Sequence, residues 1–263
     1  MGISIVIPVY NEEKTVGSVV KAVVKSGLFD QVICVNDGST DSSLKQLNKF
    51  GDSIILIDSK RNHGKGHAMY RGIMKAKHDL ITFLDSDFPN LTKKNLEVLL
   101  DPVLNKGYRI SIGYVVSKPF SKSFKNLSGQ RVYYKEDLLP LLHDIKDSKY
   151  GVEVLLNKEF KKAKMKMVPL VGLLHLRKHE KRDILDALSE HVKELTEIAE
   201  EFGRRNIRLK SDKKILKKLG SATSFENLEE MINSIKDPDI RSFLNEYALE
   251  YIKSVRDWFK KNF

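Results

Sequence analysis

Short apolar runs alternate with amphipathic segments along the first half of the chain. The apolar runs are predicted strands buried on both faces, and they lie at 3–8, 31–35, 53–57, 80–84 and 108–116. The segments between them repeat hydrophobic residues about every 3.6 positions and are predicted helices, at 15–25, 41–50 and 67–76. This alternation predicts a mainly parallel α/β sheet flanked by helices, in which ligands bind beyond the carboxyl ends of the strands.

The pattern changes towards the C-terminus, where no further strand is predicted. A helix is predicted at 150–160, and helix-period stretches follow at 182–202, 225–235 and 240–259. We therefore predict an α/β domain over residues 1–182 and an α-helical C-terminal extension over residues 183–263. The extension is expected to pack on the domain or to form a homodimer.

Composition sets the class of protein. The chain has 263 residues, 41% of them hydrophobic, so it can bury a full-sized core. Its net charge of +11 lies mainly in the second half and suits phosphorylated acceptors, acidic lipid headgroups or nucleic acid, although a solvated lysine-rich surface explains it equally well. The single cysteine, Cys34, lies in an apolar run and is interpreted as a buried hydrophobe rather than a nucleophile.

Location is inferred from the apolar runs. None approaches the roughly 20 residues that cross a bilayer, and no basic segment precedes the first predicted strand. We therefore expect a cytoplasmic protein, with a peripheral membrane contact as a further expectation.

Acidic side chains follow the second and fourth predicted strands, at the edge where ligands are expected. Asp37 ends the second strand region, and Asp85 and Asp87 follow the fourth strand. Two carboxylates two residues apart can present oxygens to one hard divalent cation, such as Mg²⁺ or Mn²⁺. Such an ion neutralises a diphosphate and the charge that develops on it as a sugar bond breaks. The alternative is a loop cap whose carboxylates accept backbone hydrogen bonds.

A lysine between two glycines, Lys65 in the segment 62–68, enters a predicted helix. Glycines let the backbone approach a ligand closely, and the amino end of a helix together with a lysine favours phosphate. The spacing differs from that of a Walker P-loop. The alternative interpretation is a glycine-rich turn with a solvated lysine.

Four motifs in their order and separation resemble family 2 glycosyltransferases of the GT-A fold. They are Ile-Pro-Val-Tyr-Asn-Glu-Glu at 7–13, Val-Asn-Asp-Gly-Ser-Thr-Asp at 35–41, Gly-Lys-Gly-His-Ala at 64–68 and Phe-Leu-Asp-Ser-Asp at 83–87. Three later segments are similar to a branch with polyprenyl-phosphate sugar transferases and glucosyl-3-phosphoglycerate synthases, namely Ser-Gly-Gln-Arg at 128–131, Tyr-Gly-Val-Glu at 150–153 and 172–181. The resemblance covers about residues 1–182.

The resemblance implies a pocket for a nucleoside diphosphate sugar. Pro8, Tyr10 and Glu12 would line the nucleotide, and Asp37 would accept a hydrogen bond from the base. Lys65 would lie at the base or at the diphosphate.

The same resemblance implies a divalent metal, Mg²⁺ or Mn²⁺. Asp85 would lie near the ribose and the metal, Asp87 would bind the metal directly, and His175 would be the second protein ligand. Without the family, a histidine between two leucines is more often a structural residue than a ligand.

Residues later in the chain are assigned to acceptor binding and to catalysis. Glu153 would act as general base towards an acceptor hydroxyl; with a phosphate acceptor it would only orient substrate, and a buried ion-paired carboxylate is the alternative. Gly129 and Arg131 are predicted to bind the acceptor, with Arg131 holding a phosphate through both guanidinium nitrogens or, alternatively, forming a structural salt bridge. The lysines at 158–166 are interpreted as a solvated helix end, with an anionic membrane or acceptor as the alternative partner.

We therefore expect a metal-dependent glycosyltransferase that moves a hexosyl unit from a nucleoside diphosphate sugar to a hydroxyl or phosphate. A UDP-sugar is the first choice of donor and a GDP-sugar the second. A phosphorylated small molecule or a polyprenyl phosphate is the expected acceptor, and no nucleic-acid partner is expected. The alternatives are a sugar-phosphate nucleotidyltransferase and a non-catalytic basic adaptor that binds nucleic acid or membrane. The stereochemical outcome stays open, because enzymes with these motifs invert or retain.

Overall fold

The computed structural model describes residues 2–116, 128–148 and 151–174, together with residues 212, 214–215, 225–238, 241 and 244–245. The chain divides into two compact units, Met1–Arg177 and Lys178–Phe263. Sequence analysis placed a boundary after residue 182, and that division stays a prediction.

A mixed sheet forms the centre of the first unit. Its described strands are β1 (Ile3–Val9), β2 (Gln31–Asp37), β3 (Ile55–Ser59), β4 (Leu80–Phe83), β5 (Ile110–Val115), β6 (Gln130–Tyr134) and β7 (Met165–Leu170). They are hydrogen-bonded in the order β3-β2-β1-β4-β6-β5-β7. All neighbours are parallel except at β6, which runs antiparallel to both β4 and β5. The predicted, mainly parallel α/β sheet is confirmed.

Helices cover both faces of this sheet, because alternate strand residues point to opposite sides. The helices are α1 (Val16–Ser26), α2 (Ser43–Asn48), α3 (Lys65–Lys75), α4 (Lys93–Asn105), α5 (Lys135–Leu138), α6 (Leu142–Asp147) and α7 (Val152–Glu159). Ile5 and Ile7 of β1 join a buried cluster with α1, α2 and α4, whereas Val6 joins a second cluster with α3, α6 and α7. Each face therefore has its own hydrophobic core.

The predicted strands and helices of the first 116 residues correspond to β1–β5 and α1–α3. Five elements of the first unit were not predicted, namely α4, α5, α6, β6 and β7. β6 buries Arg131 completely, so hydrophobicity does not mark it as a strand. β7 is an edge strand with Lys166 and Pro169 exposed, which are residues that protect sheet edges from pairing.

The topology places a crevice at the carboxyl end of β1 and β4. The connection from β3 to β4 runs through α3, across the opposite face from α1 and α2, so the strand order reverses between β1 and β4. In open α/β sheets, ligands bind at such a switch point. The loops that follow β1 and β4 are therefore the first place to search for a site.

Gly72 of α3 packs directly on β1. A Cβ atom at this position would lie 2.9 Å from Val6 Cγ2 and closer still to Val6 Cγ1. We expect Gly72→Ala to lower the free energy of unfolding by about 1–3 kcal/mol, because the overpacked core must shift. Urea unfolding of the purified protein measures this change.

A matched control is Gly17→Ala in α1, where the nearest atom to the new Cβ is Gln46 Oε1 at 3.6 Å. That contact is ordinary, so the control should be neutral or slightly stabilising through its helix propensity. Equal stability of the Gly72→Ala and wild-type proteins would contradict the close packing of α3 on β1.

The second unit is described only in part. Its described residues include a helix, α8 (Phe225–Asn233), at the position of the helix predicted for 225–235. The helices predicted at 182–202 and 240–259 lie wholly or mostly outside the described residues. Within the described residues, no helix has the length and apolar character that crossing a membrane requires.

Candidate active site

Two loops at the carboxyl edge are tied together by hydrogen bonds from their backbones. Asn11, which follows β1 with a φ of 55°, donates its N–H to Ser39 Oγ at 2.9 Å. Its side-chain oxygen accepts a hydrogen bond from the N–H of Thr40 at 2.7 Å. The loops after β1 and β2 are therefore held against each other at the carboxyl edge.

Asp37 fixes the start of α3. Its carboxylate accepts the backbone N–H groups of Gly64, at 2.7 Å, and His63, at 3.0 Å. Burial raises the pKa of Asp37, although both N–H donors act in the opposite direction. The predicted hydrogen bond to a nucleobase stays a prediction, and the observed bonds give Asp37 a structural task as well.

Lys65, the first residue of α3, joins two carboxylates. Its Nζ lies 2.6 Å from Asp85 Oδ1 and 2.6 Å from Glu153 Oε1. Burial acts to lower the pKa of Lys65, but the two carboxylates outweigh burial and hold that pKa above its usual value. The lysine is therefore a permanent cation near neutral pH, and the alternative of a solvated lysine is not what the structure shows.

Gly129 and Gln130 reach Asp85 because β6 is antiparallel to β4. Arg131 pairs with Phe83, so the residues at the start of β6 lie beside the residues that follow β4. Gln130 Nε2 donates to Asp85 Oδ2 at 2.8 Å. A Cβ on Gly129 would lie 2.6 Å from Lys65 Nζ and closer still to both Asp85 oxygens. A larger residue at this position would therefore displace the ends of the Lys65 and Asp85 side chains.

Arg131 holds the helix that carries Glu153. Its side chain is fully buried, and Nη1 donates to Asn157 Oδ1 at 2.8 Å and to the Tyr133 hydroxyl at 3.0 Å. Asn157 lies four residues after Glu153 and therefore on the same face of α7. Nε of Arg131 donates to the Ser128 carbonyl at 2.6 Å. These contacts favour a structural role, and the predicted phosphate contact of Arg131 stays a prediction.

Glu153 lies in the first turn of α7, where the helix dipole favours a carboxylate. It is 6% exposed, so its contact with Lys65 is nearly shielded from water. Together, Lys65, Asp85 and Glu153 carry one positive and two negative charges. The carboxylate cluster therefore keeps a net negative charge that suits a divalent cation.

The residues predicted for the nucleotide pocket lie around the end of β1. Pro8 and Tyr10 are half-buried there. The Glu12 carboxylate accepts a hydrogen bond from the Thr15 hydroxyl at 2.8 Å, at the start of α1. Contacts of these side chains with a nucleotide stay predictions.

The predicted metal ligands are described only in part. Asp87 is half-buried after β4, whereas His175 lies outside the described residues. Among the residues that the structure describes, no three His, Cys, Asp or Glu side chains come together as a metal cluster. The metal ligand set stays a prediction.

The lysines at 158–166 lie mostly at the amino edge of the sheet, opposite to the carboxyl edge that holds Asp85. They occupy the end of α7 and the start of β7, and all are exposed, namely Lys158, Lys161, Lys162, Lys164 and Lys166. β7 runs parallel to β5 and hence in the same direction as β4, so its start is the amino edge. Most of this cluster is about one strand length, roughly 20 Å, from the carboxylate cluster. The position favours the predicted solvated helix end over contact with an acceptor.

Sequence analysis did not single out several residues of this edge. The His63 ring stacks on His67 with centroids 4.5 Å apart, and burial lowers the pKa of His67. Gln130 stands inside the Ser-Gly-Gln-Arg segment, whose neighbouring residues were singled out, and its contact with Asp85 was missed. Cys34 is fully buried and burial raises its pKa to about 12, as expected of a hydrophobic residue rather than a nucleophile.

The fold and this edge define an α/β protein with a cluster of charged side chains at a switch point of its sheet. The model of glycosyl transferase family 2 matches residues 4–159, which is more than half of the chain. The chain therefore belongs to glycosyl transferase family 2.

Curated relatives carry transferase names. The chain is 28% identical over 165 residues to the 4,4'-diaponeurosporenoate glycosyltransferase of Staphylococcus aureus strain USA300, and a protein of the same name from strain Newman matches equally. The match covers 60% of this chain and 44% of the relative. The chain thus spans less than half the length of these curated relatives.

Solved structures share the fold. Glucosyl-3-phosphoglycerate synthase from Mycobacterium tuberculosis, in complex with Mn²⁺, UDP and phosphoglyceric acid, aligns with a TM-score of 0.62 at 23% identity over 80% of each chain. Its complex with Mg²⁺ and UDP aligns with a TM-score of 0.60 at 23% identity over 78% of this chain and 79% of the other. The predicted GT-A fold is confirmed.

Proposed function

We propose that this chain is a metal-dependent glycosyltransferase that moves a hexosyl unit from a nucleoside diphosphate sugar to a hydroxyl or phosphate acceptor. The observation that carries the proposal is the Lys65 ammonium, held 2.6 Å from both Asp85 and Glu153 at the carboxyl edge of the sheet. A fixed cation beside carboxylates, at a topological switch point, suits a sugar diphosphate and its charge-neutralising metal. Membership of glycosyl transferase family 2 supports the same chemistry.

The residues after β4 fit a hard divalent cation. Asp85 offers two carboxylate oxygens and is 27% exposed, with Lys65 on one oxygen and Gln130 on the other. Because Asp85 is engaged in this way, we assign direct metal binding to Asp87 and His175, with Asp85 orienting the ribose. Bound Mg²⁺ or Mn²⁺ supplies Lewis-acid neutralisation of the diphosphate.

Protein groups perform the other steps. Lys65 stabilises the negative charge on the departing diphosphate, because it stays protonated and needs no reorganisation during the reaction. Glu153 accepts the proton of an acceptor hydroxyl, or orients substrate where the acceptor is a phosphate. Pro8, Tyr10 and Asp37 line the nucleotide. Holding donor and acceptor in one crevice supplies the proximity contribution.

We propose a UDP-sugar as the preferred donor, with a GDP-sugar as the alternative. A phosphorylated small molecule is the preferred acceptor. Structures of the mycobacterial synthase with UDP-glucose and phosphoglyceric acid, which share the fold, support this choice. A polyprenyl phosphate is the second acceptor. The cytoplasmic location, the peripheral membrane contact and the homodimer stay predictions.

A thermal-shift panel tests the donor and the metal together. UDP, GDP and their glucose and mannose conjugates are added with and without Mn²⁺. We expect one nucleotide class to raise the melting temperature by about 5–10 °C at roughly 100 times its dissociation constant, and only with metal.

Asp87→Asn should lose this metal-dependent shift, because the amide is a weaker ligand than the carboxylate. Asp79→Asn, an exposed aspartate directly before β4, is the control that should keep it. An equal shift in Asp87→Asn and wild type would contradict the metal assignment. Pyrophosphate release on incubation with a sugar phosphate and a nucleoside triphosphate would instead identify a nucleotidyltransferase.

A further inference from the structure

Gln130 lies between a hydroxyl group and the Asp85 carboxylate. The residue is 2% exposed, and its Nε2 donates to Asp85 Oδ2 at 2.8 Å. Its Oε1 accepts a hydrogen bond from the Ser128 hydroxyl, which also contacts the Gly113 carbonyl of β5. The carboxamide is thus fixed at both ends, and it links the loop after β4 to β5.

Chemistry decides the orientation of this amide. An ionised carboxylate only accepts hydrogen bonds, so the amide nitrogen must face Asp85 and the amide oxygen must face the Ser128 hydroxyl. In this orientation the amide nitrogen donates to Asp85, and the amide oxygen shares the single proton of the Ser128 hydroxyl with the Gly113 carbonyl. A glutamate at the same position would face Asp85 with a second negative charge.

Asp85 is consequently held by two donors from different elements. Lys65 from α3 binds Oδ1, and Gln130 from β6 binds Oδ2. The terminal torsion of a free aspartate is broad, and two donors on opposite oxygens restrict it to one orientation. A carboxylate offers about four acceptor sites, so the partly exposed Asp85 can still accept a hydrogen bond from a hydroxyl of the bound nucleotide sugar.

Gln130 also matters because it is neutral. Lys65 already balances one of the two carboxylates, and a second cation beside Asp85 would remove the remaining negative charge of the cluster. A carboxamide fixes the carboxylate without cancelling that charge, which is the property that a neighbouring divalent metal requires.

We propose that Gln130 is a positioning residue that orients Asp85 for the nucleoside diphosphate and its metal. This inference rests on the proposed function. Gln130 touches no substrate in this account, and it acts through the carboxylate that does.

Two variants test the proposal through the affinity for UDP in the presence of Mn²⁺, or for GDP where the thermal-shift panel selects it. Gln130→Met keeps the length of the side chain but removes both hydrogen bonds, and we expect about tenfold weaker binding. Gln130→Glu keeps the shape and places a carboxylate against Asp85. Gln46→Met, on α2 and away from this edge, is the control that should bind like wild type.

The pH dependence of Gln130→Glu separates positioning from general destabilisation. At low pH the introduced carboxylic acid is protonated and can donate to Asp85 as the amide does, whereas at high pH two carboxylates repel. We expect the ratio of the nucleotide affinity of Gln130→Glu to that of wild type to be about fivefold or more higher at pH 5.5 than at pH 8. Charged groups around the site also include Asp87 after β4, Lys65 on α3, Glu153 on α7 and Arg131 on β6; they are present in both proteins, so their own effect on binding is common to the two.

Calorimetry of wild type and variants gives distinct outcomes. If wild type binds neither nucleotide with metal, the proposed function fails, and the role of Gln130 fails with it. If wild type binds and both the Gln130→Met affinity and the Gln130→Glu pH ratio stay unchanged, only the role of Gln130 is overturned. Should Gln130→Met not fold, the pH ratio of Gln130→Glu decides alone: a rise supports positioning, and a flat ratio overturns it.

Discussion

Lys65→Met is expected to lower kcat for sugar transfer by about 10²–10³-fold, the usual loss when one preorganised charge at a developing anion is removed. The methionine keeps the unbranched apolar stem of the side chain but leaves the departing diphosphate without its fixed cation. A coupled assay of nucleoside diphosphate release measures the loss. Lys75→Met, an exposed lysine at the other end of α3, is the matched control and should keep wild-type activity.

The same substitution should destabilise the protein at neutral pH. The raised pKa of Lys65 means that its stabilising contribution is complete below the ordinary lysine pKa and is lost only as pH rises through the higher folded value. Removal leaves Asp85 and Glu153 facing each other without a cation. We expect a loss of about 2–4 kcal/mol, below the upper range for wholly buried pairs because Asp85 is 27% exposed.

Acidification should narrow the stability difference between Lys65→Met and wild type, because protonation of one carboxylate relieves the repulsion. Urea unfolding at pH 5 and pH 8 measures it. A variant that transfers sugar like wild type, or whose stability difference does not depend on pH, would contradict the placement of Lys65 between two ionised carboxylates.

Gly129→Ala is expected to reduce kcat/KM by about 100-fold while leaving the protein folded. The new methyl group would lie 2.6 Å from Lys65 Nζ and would overlap both Asp85 oxygens, so the cluster must move. A displacement of about 1 Å in a catalytic group typically has an effect of this size. Side-chain ends can shift more easily than a packed core, so the loss of stability should be smaller than the loss of activity.

Activity and urea unfolding of Gly129→Ala should be measured together with Gly17→Ala, whose new methyl group meets no close contact. The control should retain wild-type values in both. Retention of full activity by Gly129→Ala would show that Asp85 and Lys65 are not packed against the backbone of Gly129, directly before β6, as described.

The parts of the fold that could be predicted are those encoded locally. β1 to β5 are continuous apolar runs, so hydrophobicity marks them, and the carboxyl-edge position of Asp37 and Asp85 follows from chain order. Lys65 and Asp85 were predicted to lie at the same edge of the sheet, but the contact between them was not predicted. Its geometry depends on how α3 crosses the sheet.

The parts that could not be predicted depend on long-range register. Pairing of Phe83 with Arg131 brings the start of β6 to Asp85. Nothing local in the sequence indicates that β6 lies between β4 and β5 and runs antiparallel to both. Gly129 lies close to Lys65 and Asp85, a contact that the sequence did not indicate, and its predicted acceptor contact stays a prediction. Arg131 was predicted to hold an acceptor phosphate or, alternatively, to form a structural salt bridge; its complete burial could not be predicted from the sequence.

The difference in affinity between UDP and UMP, measured by calorimetry with Mn²⁺ on wild type and Lys65→Met, tests the central claim most directly. The nucleoside and α-phosphate are common to both ligands, so the difference isolates the terminal phosphate. We predict that wild type prefers UDP by about tenfold or more and that this preference is clearly smaller in Lys65→Met, because the fixed cation beside the terminal phosphate is removed. A preference of the same size in Lys65→Met would contradict a diphosphate site built on Lys65.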